Sequence, residues 1–138
     1  MSHKIQNLTQ ASFGRYGTLL CFTEKMFDGW EIRVTGKSDG WRIALLEFDR
    51  KSTHTLEYHP ESKESFEPMS GVSLLIAADN QTPADYEVFL LDQPVCLNEG
   101  VWHQVISLSE KTMVKITENI DVECIYYELD HEIEVEVH

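Results

Sequence analysis

Four side chains carry the chemistry that this sequence offers. Glu57, His59 and Glu64 fall within "EYHPESKESFEPMSG" (57–71), and His103 follows in "NEGVWHQV" (98–105). Carboxylate and imidazole together are the donor set that hard and borderline divalent cations take. If 54–59 and 64–67 are two arms of a hairpin turning through Pro60, Glu61, Ser62 and Lys63, His59 stands opposite Glu64 on one face. Glu57, two residues earlier, shares that face, and Phe66 opposite it supplies an apolar wall. His103 has to arrive from another strand. Spacing alone leaves two readings open. One is a metal site; the other is a solvated turn, with Glu57, Glu61, Glu64 and Glu67 as ordinary surface charges.

The elements that would position these residues are strands. Period-two or short apolar runs occur at 18–22, 30–35, 41–48, 54–59, 64–67, 71–78, 86–91, 102–108, 113–117 and 122–129. In the tail "EIEVEV" (132–137), Glu132, Glu134 and Glu136 alternate with Ile133, Val135 and Val137, as in a half-buried strand. Turn residues separate the runs in "KSDG", "ADNQTP" and "NEG". The one helix candidate is short, 8–17, with Thr9 as N-cap and Gly17 as stop. Many short strands at fairly even spacing predict an all-β barrel or sandwich, as a single domain over 1–138.

Composition removes whole classes of function. With 24 acidic against 11 basic residues the net charge is −13, a surface that repels phosphate, so neither nucleic acid nor an anionic membrane is an expected partner. No Lys or Arg follows Lys115, and the acidic run beyond it reads as a solvated edge in preference to an acidic docking surface. Cys21, Cys96 and Cys124 have no CxxC spacing and are odd in number, which argues against a disulfide framework or zinc knuckle. The N-terminal "MSHKIQNLTQ" lacks the apolar stretch of a signal peptide, and a cytoplasmic location is expected. Trp30, Trp41 and Trp102 are expected in the core or against a second copy.

The chemical residues also match a known pattern. Glu57-x-His59, four residues, Glu64, six residues and Gly71 resembles the first motif of the cupin superfamily, with Glu57 in place of its first histidine. Gly100, two residues and His103 resembles the second motif. Within the cupins, "HTLEYHPESKESFEPMSG" is most similar to the ureidoglycolate lyase (ureidoglycolate hydrolase) family. The resemblance is carried by Glu57, His59, Pro60, Phe66, Pro68, Met69 and Gly71, by Trp102-His103, and by Phe13 and Tyr16-Gly17. The departures are Glu64 for a usual Gln, Gln104 for a second His, Asn98 for another His, and Asp130-His131 for an Asp-Arg pair.

This resemblance implies a double-stranded β-helix (jelly-roll) barrel with a short N-terminal helix, a homodimer, and cleavage of ureidoglycolate to glyoxylate and urea. It also implies a divalent metal (nickel, manganese, zinc or iron) on Glu57, His59, Glu64 and His103. In such a site Glu57 would serve as base and Gln104 would hydrogen-bond the ureido group. Arg50 or Lys51 would hold the substrate carboxylate, beside Phe66 and Trp102. Two other functions use the same pocket: a different metal-dependent reaction on a small hydroxy acid, keto acid or sugar, and ligand binding without turnover.

Overall fold

The computed structural model describes residues 3–24 and 28–134. Its elements are β1 (Ile5–Gln6), α1 (Gln10–Phe13), β2 (Gly17–Leu19), β3 (Trp41–Phe48), β4 (Ser52–Tyr58) and β5 (Glu64–Ser70), followed by β6 (Ser73–Ala78), β7 (Glu87–Leu90), β8 (Val95–Leu97), β9 (Trp102–Ser107), β10 (Thr112–Asn119) and β11 (Ile125–Glu134). They form a six-stranded sheet, β1-β7-β6-β9-β4-β11, and a five-stranded sheet, β2-β8-β5-β10-β3. Pairing is antiparallel except between β1 and β7. This is the all-β jelly-roll that the resemblance implies. Consecutive strands such as β4 and β5 lie in different sheets, so the chain wraps the barrel instead of meandering within one sheet.

Between the sheets lies a core that includes Phe13, Tyr16, Phe48, Phe66, Leu75, Phe89, Val105 and Val114. Phe13 and Phe89 meet edge to face at 5.1 Å, and pairs of this kind add about 0.5–1.5 kcal/mol beyond the area they bury. A second apolar cluster covers the outer face of the six-stranded sheet, with Leu56, Ile76, Trp102 and Ile106 capped by Leu129 and Ile133. Those last two come from a break in register. Glu128 pairs with Thr55 and Ile133 with Thr53, so four residues of β11 face His54 alone. The bulge reaches toward β7, where Tyr86 donates its hydroxyl proton to His131 Nε2 at 2.8 Å. Asp130-His131 therefore lies on the outside of the barrel.

Several local expectations change. Thr9 does cap α1, in a reciprocal pair with Ser12, but the helix ends at Gly14. Gly17 is instead in β2, where a Cβ would stand 2.1 Å from the Cys96 carbonyl oxygen. Residues 30–35 form no strand, although the Arg33 guanidinium reaches the Leu19 carbonyl at the edge of β2. Two short strands without a usable period, β1 and β8, were not legible. Trp102 is buried, whereas Trp30 and Trp41 are each 67% exposed. The strand in the acidic tail is seen to Glu134; Val135, Glu136, Val137 and His138 lie outside the described residues.

Candidate metal centre

Glu57 and His103 sit directly opposite one another on β4 and β9, so both side chains enter the barrel from the six-stranded sheet. The His59 carbonyl accepts the Gly100 amide at 2.9 Å, tying the end of β4 to the turn that launches β9. From the facing sheet comes Glu64, the first residue of β5, paired with Glu118 of β10, which is paired in turn with Arg42 of β3. His59 and Glu64 thus meet, but not as partners in a hairpin. Residues 60–63 form a corner between the two sheets, and the contact spans the barrel interior.

The ring orientations give the site its character. His59 Nδ1 lies 3.1 Å from the Glu123 carbonyl oxygen, and His103 Nδ1 lies 2.9 Å from that of Val101. A carbonyl can only accept, so each Nδ1 carries a proton and each Nε2 faces inward, holding a second proton toward the carboxylates when the ring is charged and offering its lone pair when it is neutral. The two Nε2 atoms converge on one oxygen, Glu64 Oε1, at 3.0 Å from His59 and 2.8 Å from His103. The approach from His103 is off the ring's donor direction, so its buried Nε2 makes no hydrogen bond. Glu57 Oε1 is 3.6 Å from that same nitrogen.

Lone pairs and carboxylate oxygens at this spacing repel unless something positive lies among them. In the metal-free protein that is a proton. Burial is the largest influence on His103 and by itself lowers its pKa. The Glu64 charge, with Glu57 and the Val101 carbonyl, outweighs it and raises the group to about 10. His59 moves the same way, for the same opposed reasons. For Glu64, burial pushes upward and the two imidazoles push harder downward, so it is held well below the ordinary carboxylate range. A divalent cation satisfies the same atoms. Imidazoles whose Nδ1–H is anchored on a carbonyl, with Nε2 turned toward carboxylates, have the outer-shell arrangement of metal-bound histidines. Two triads, Glu57–His59–His103 and His59–Glu64–Glu118, have ligand atoms mutually within 4.8 Å. The donor set fits a divalent metal.

Glu118 is the residue that sequence reasoning missed. Thr112, Val114 and Ile116 point inward on β10, and the same parity carries Glu118 into the barrel, where its side chain is only 7% exposed. The alternation extends to it, one residue beyond the apolar run at 113–117.

Phe66 stands edge-on to His103, with ring centroids 5.6 Å apart, though it does not pair with Glu57. The remaining expected substrate-site residues lie elsewhere. Gln104 and Trp102 flank His103 in sequence, and in a strand that puts both on the opposite face. Gln104 accepts the Val105 amide at 3.0 Å. Trp102 donates its indole N–H to the Asn80 carbonyl at 2.9 Å and packs against Tyr58. Arg50 and Lys51 are at the far end of the barrel. The Arg50 carbonyl bonds Ser107, and the Lys51 ammonium bonds the Ser109 carbonyl. Arg50 is seven positions before Glu57, about 23 Å of extended chain.

A family model described as ureidoglycolate lyase matches residues 2–136 of this chain. The chain belongs to the ureidoglycolate lyase family. No curated protein matches it. Among solved structures, two point mutants of Bacillus subtilis oxalate decarboxylase are similar to it. One has 17% identity and a TM-score of 0.48, covering 65% of this chain and 24% of the other. The second has 16% identity and a TM-score of 0.44, covering 70% and 24%. The chain therefore spans about a quarter of the length of these structures. Among the described residues, no helix is long and apolar enough to cross a membrane.

Proposed function

We propose that this protein cleaves ureidoglycolate to glyoxylate and urea at the Glu57–His59–Glu64–His103 cluster, with Glu118 as an added donor. The observation that carries this reading is the pair of imidazoles locked by their Nδ1–H groups so that both Nε2 atoms face Glu64, in a member of this family. Those residues would hold a divalent metal such as nickel, manganese, zinc or iron, which supplies positive charge that acidifies a substrate hydroxyl.

The chain's own residues do the rest. Glu57 is the most exposed of the three carboxylates, its side chain 26% accessible against 8% for Glu64 and 7% for Glu118, and takes the hydroxyl proton as general base. The C–O bond then becomes the aldehyde C=O while the C–N bond breaks, and its electron pair leaves on the urea nitrogen, which receives the proton that Glu57 took up. Phe66 closes the apolar side of the pocket beside His103. Gln104 and Trp102, on the outer face, take no part in substrate contact.

The same reading includes a homodimer. β3 is a sheet edge on which Trp41, Ile43 and Leu45 are 54–67% exposed, an apolar edge of the kind that a second copy covers.

Glyoxylate release from ureidoglycolate is the test, using purified protein supplemented in turn with nickel, manganese, zinc and ferrous ions. Metal-dependent release, lost in His59→Ala and His103→Ala, is the expected result. Folded protein that releases no glyoxylate with any of the four ions would reject the lyase reading.

A further inference from the structure

With Arg50 and Lys51 at the wrong end of the barrel, a carboxylate substrate needs another cation. Glu57, Glu64 and Glu118 place three negative charges around a site whose divalent ion supplies two positive ones, and neutral imidazoles add none. An incoming anion would meet net negative charge in a low-dielectric cavity, where like charges repel strongly. Arg42 restores neutrality. Its Nε and Nη2 both donate to Glu118 Oε2, at 2.9 and 2.7 Å. Among the described residues it is the sole Lys or Arg ion-paired to a member of the two triads.

Its placement follows from strand parity. Ala44, Leu46 and Phe48 pack against the interior core, and Arg42 continues that inward phase at the mouth. It is also only partly used. A guanidinium has five N–H donors; two are spent on Glu118, and no other acceptor among the described residues takes the remaining three. The side chain is half exposed and is the one cation lining a cleft of about 490 Å³, which it shares with Glu61, Ser62, Ile120, Asp121, Val122 and Glu123. Glu123 is the residue whose carbonyl orients His59, so the cleft adjoins the donor cluster.

We propose that Arg42 anchors the carboxylate of an α-hydroxy acid substrate, and that Glu118 fixes the guanidinium in the orientation needed to receive it. This rests on reading the cluster as a metal site for a small hydroxy acid. The planar fork, already held on one edge, offers its free edge to a second carboxylate, the geometry for which arginine is suited and lysine is not.

Calorimetry with glycolate and its neutral amide, glycolamide, separates this role from a structural one. Both are titrated into manganese-loaded wild type, Arg42→Gln and Arg42→Lys, and manganese is titrated into each metal-free protein. Arg42→Gln is expected to weaken glycolate roughly ten- to hundredfold while leaving glycolamide and manganese unchanged, with Arg42→Lys intermediate. Equal glycolate affinity in wild type and Arg42→Gln would overturn the proposal. So would parallel losses for glycolate and glycolamide, or a matching loss of manganese affinity, since Arg42 would then only hold Glu118. Wild type that binds no glycolate overturns it too. Wild type that keeps the Arg42 contrast but releases no glyoxylate from ureidoglycolate would reject the lyase reading and leave this one standing.

Discussion

Replacing Glu64 by Gln should destabilise the metal-free protein strongly near pH 5.5 and much less near pH 10. Glu64 is the carboxylate on which both Nε2 atoms converge, and its side chain is 8% exposed. Its folded pKa is depressed, so its contribution is present above the ordinary value of 4.5 and is lost as pH falls through the lowered one. His103 is raised from 6.5 to about 10, so its contribution is full below 6.5 and is lost as pH rises toward 10. Both are in place between 4.5 and 6.5. Removing one partner of a buried ion pair costs about 3–5 kcal/mol, which for a domain of this size is roughly 10–20 °C in Tm. The assay is thermal unfolding by circular dichroism in chelator, from pH 5 to 10, for wild type and Glu64→Gln. As pH rises the wild-type imidazoles lose their protons beside a buried carboxylate, and the gap must close. Equal Tm values at pH 5.5, or a gap that persists unchanged to pH 10, would refute the reasoning. Manganese at a hundred times its Kd should then raise wild-type stability by about 2.7 kcal/mol, and the variant by less.

Metal binding has to displace the protons that His59 and His103 hold. Manganese affinity measured by calorimetry should therefore fall steeply as pH drops from 8 to 6, with proton release visible as a buffer-dependent heat. Gln104→Ala, Arg50→Gln and Lys51→Gln should leave manganese affinity and the KM for ureidoglycolate unchanged, as steady-state kinetics would show. Gly71 has φ +80°, and a Cβ there would lie 2.4 Å from the Lys111 carbonyl oxygen. Gly71→Ala should cost at least about 1–2 kcal/mol from the backbone alone, with the clash added, read as a lowered urea midpoint with metal affinity intact in the folded fraction.

How much of this was legible in the sequence follows from which signals are local. The runs at 41–48 and 102–108 announce β3 and β9 because apolar alternation is a property of neighbouring residues. The grouping of Glu57 with His59 and of Glu64 with Gly71 was legible through the motif spacing. The sheet to which each strand belongs was not. Adjacent β4 and β5 look like a hairpin, and a four-residue connection permits one; only the pairing of β4 with β9 and β11 excludes it. The same limit explains Arg50 and Lys51, which are close to Glu57 in sequence but displaced along the strand axis. Arg42 and Glu118 are 76 residues apart and become neighbours only through the β3–β10 register. Gln104 is a different kind of miss. Period-two alternation was enough to send it, and Trp102, to the face opposite His103.

The register across the two sheets also explains why the donor cluster can bear on folding. One sheet contributes Glu57 and His103 in a single cross-strand pair, with His59 beside them. The other contributes the row Glu64, Glu118, Arg42 on three adjacent strands. A cation held between these rows joins the sheets at the barrel mouth, where charged groups replace the apolar contacts that close the barrel below. There, Leu75, Val105, Phe66 and Val114 pack across the same gap and exclude water. The apolar layer does not depend on the charge at the mouth, so the metal-free protein is expected to stay folded enough to titrate. Protonation of the mouth, or a metal held there, would add a pH-dependent and metal-dependent increment to that stability. This is why a single buried carboxylate, Glu64, should report on fold, protonation and metal together, while Arg42, one row outward and half exposed, should report on the substrate alone.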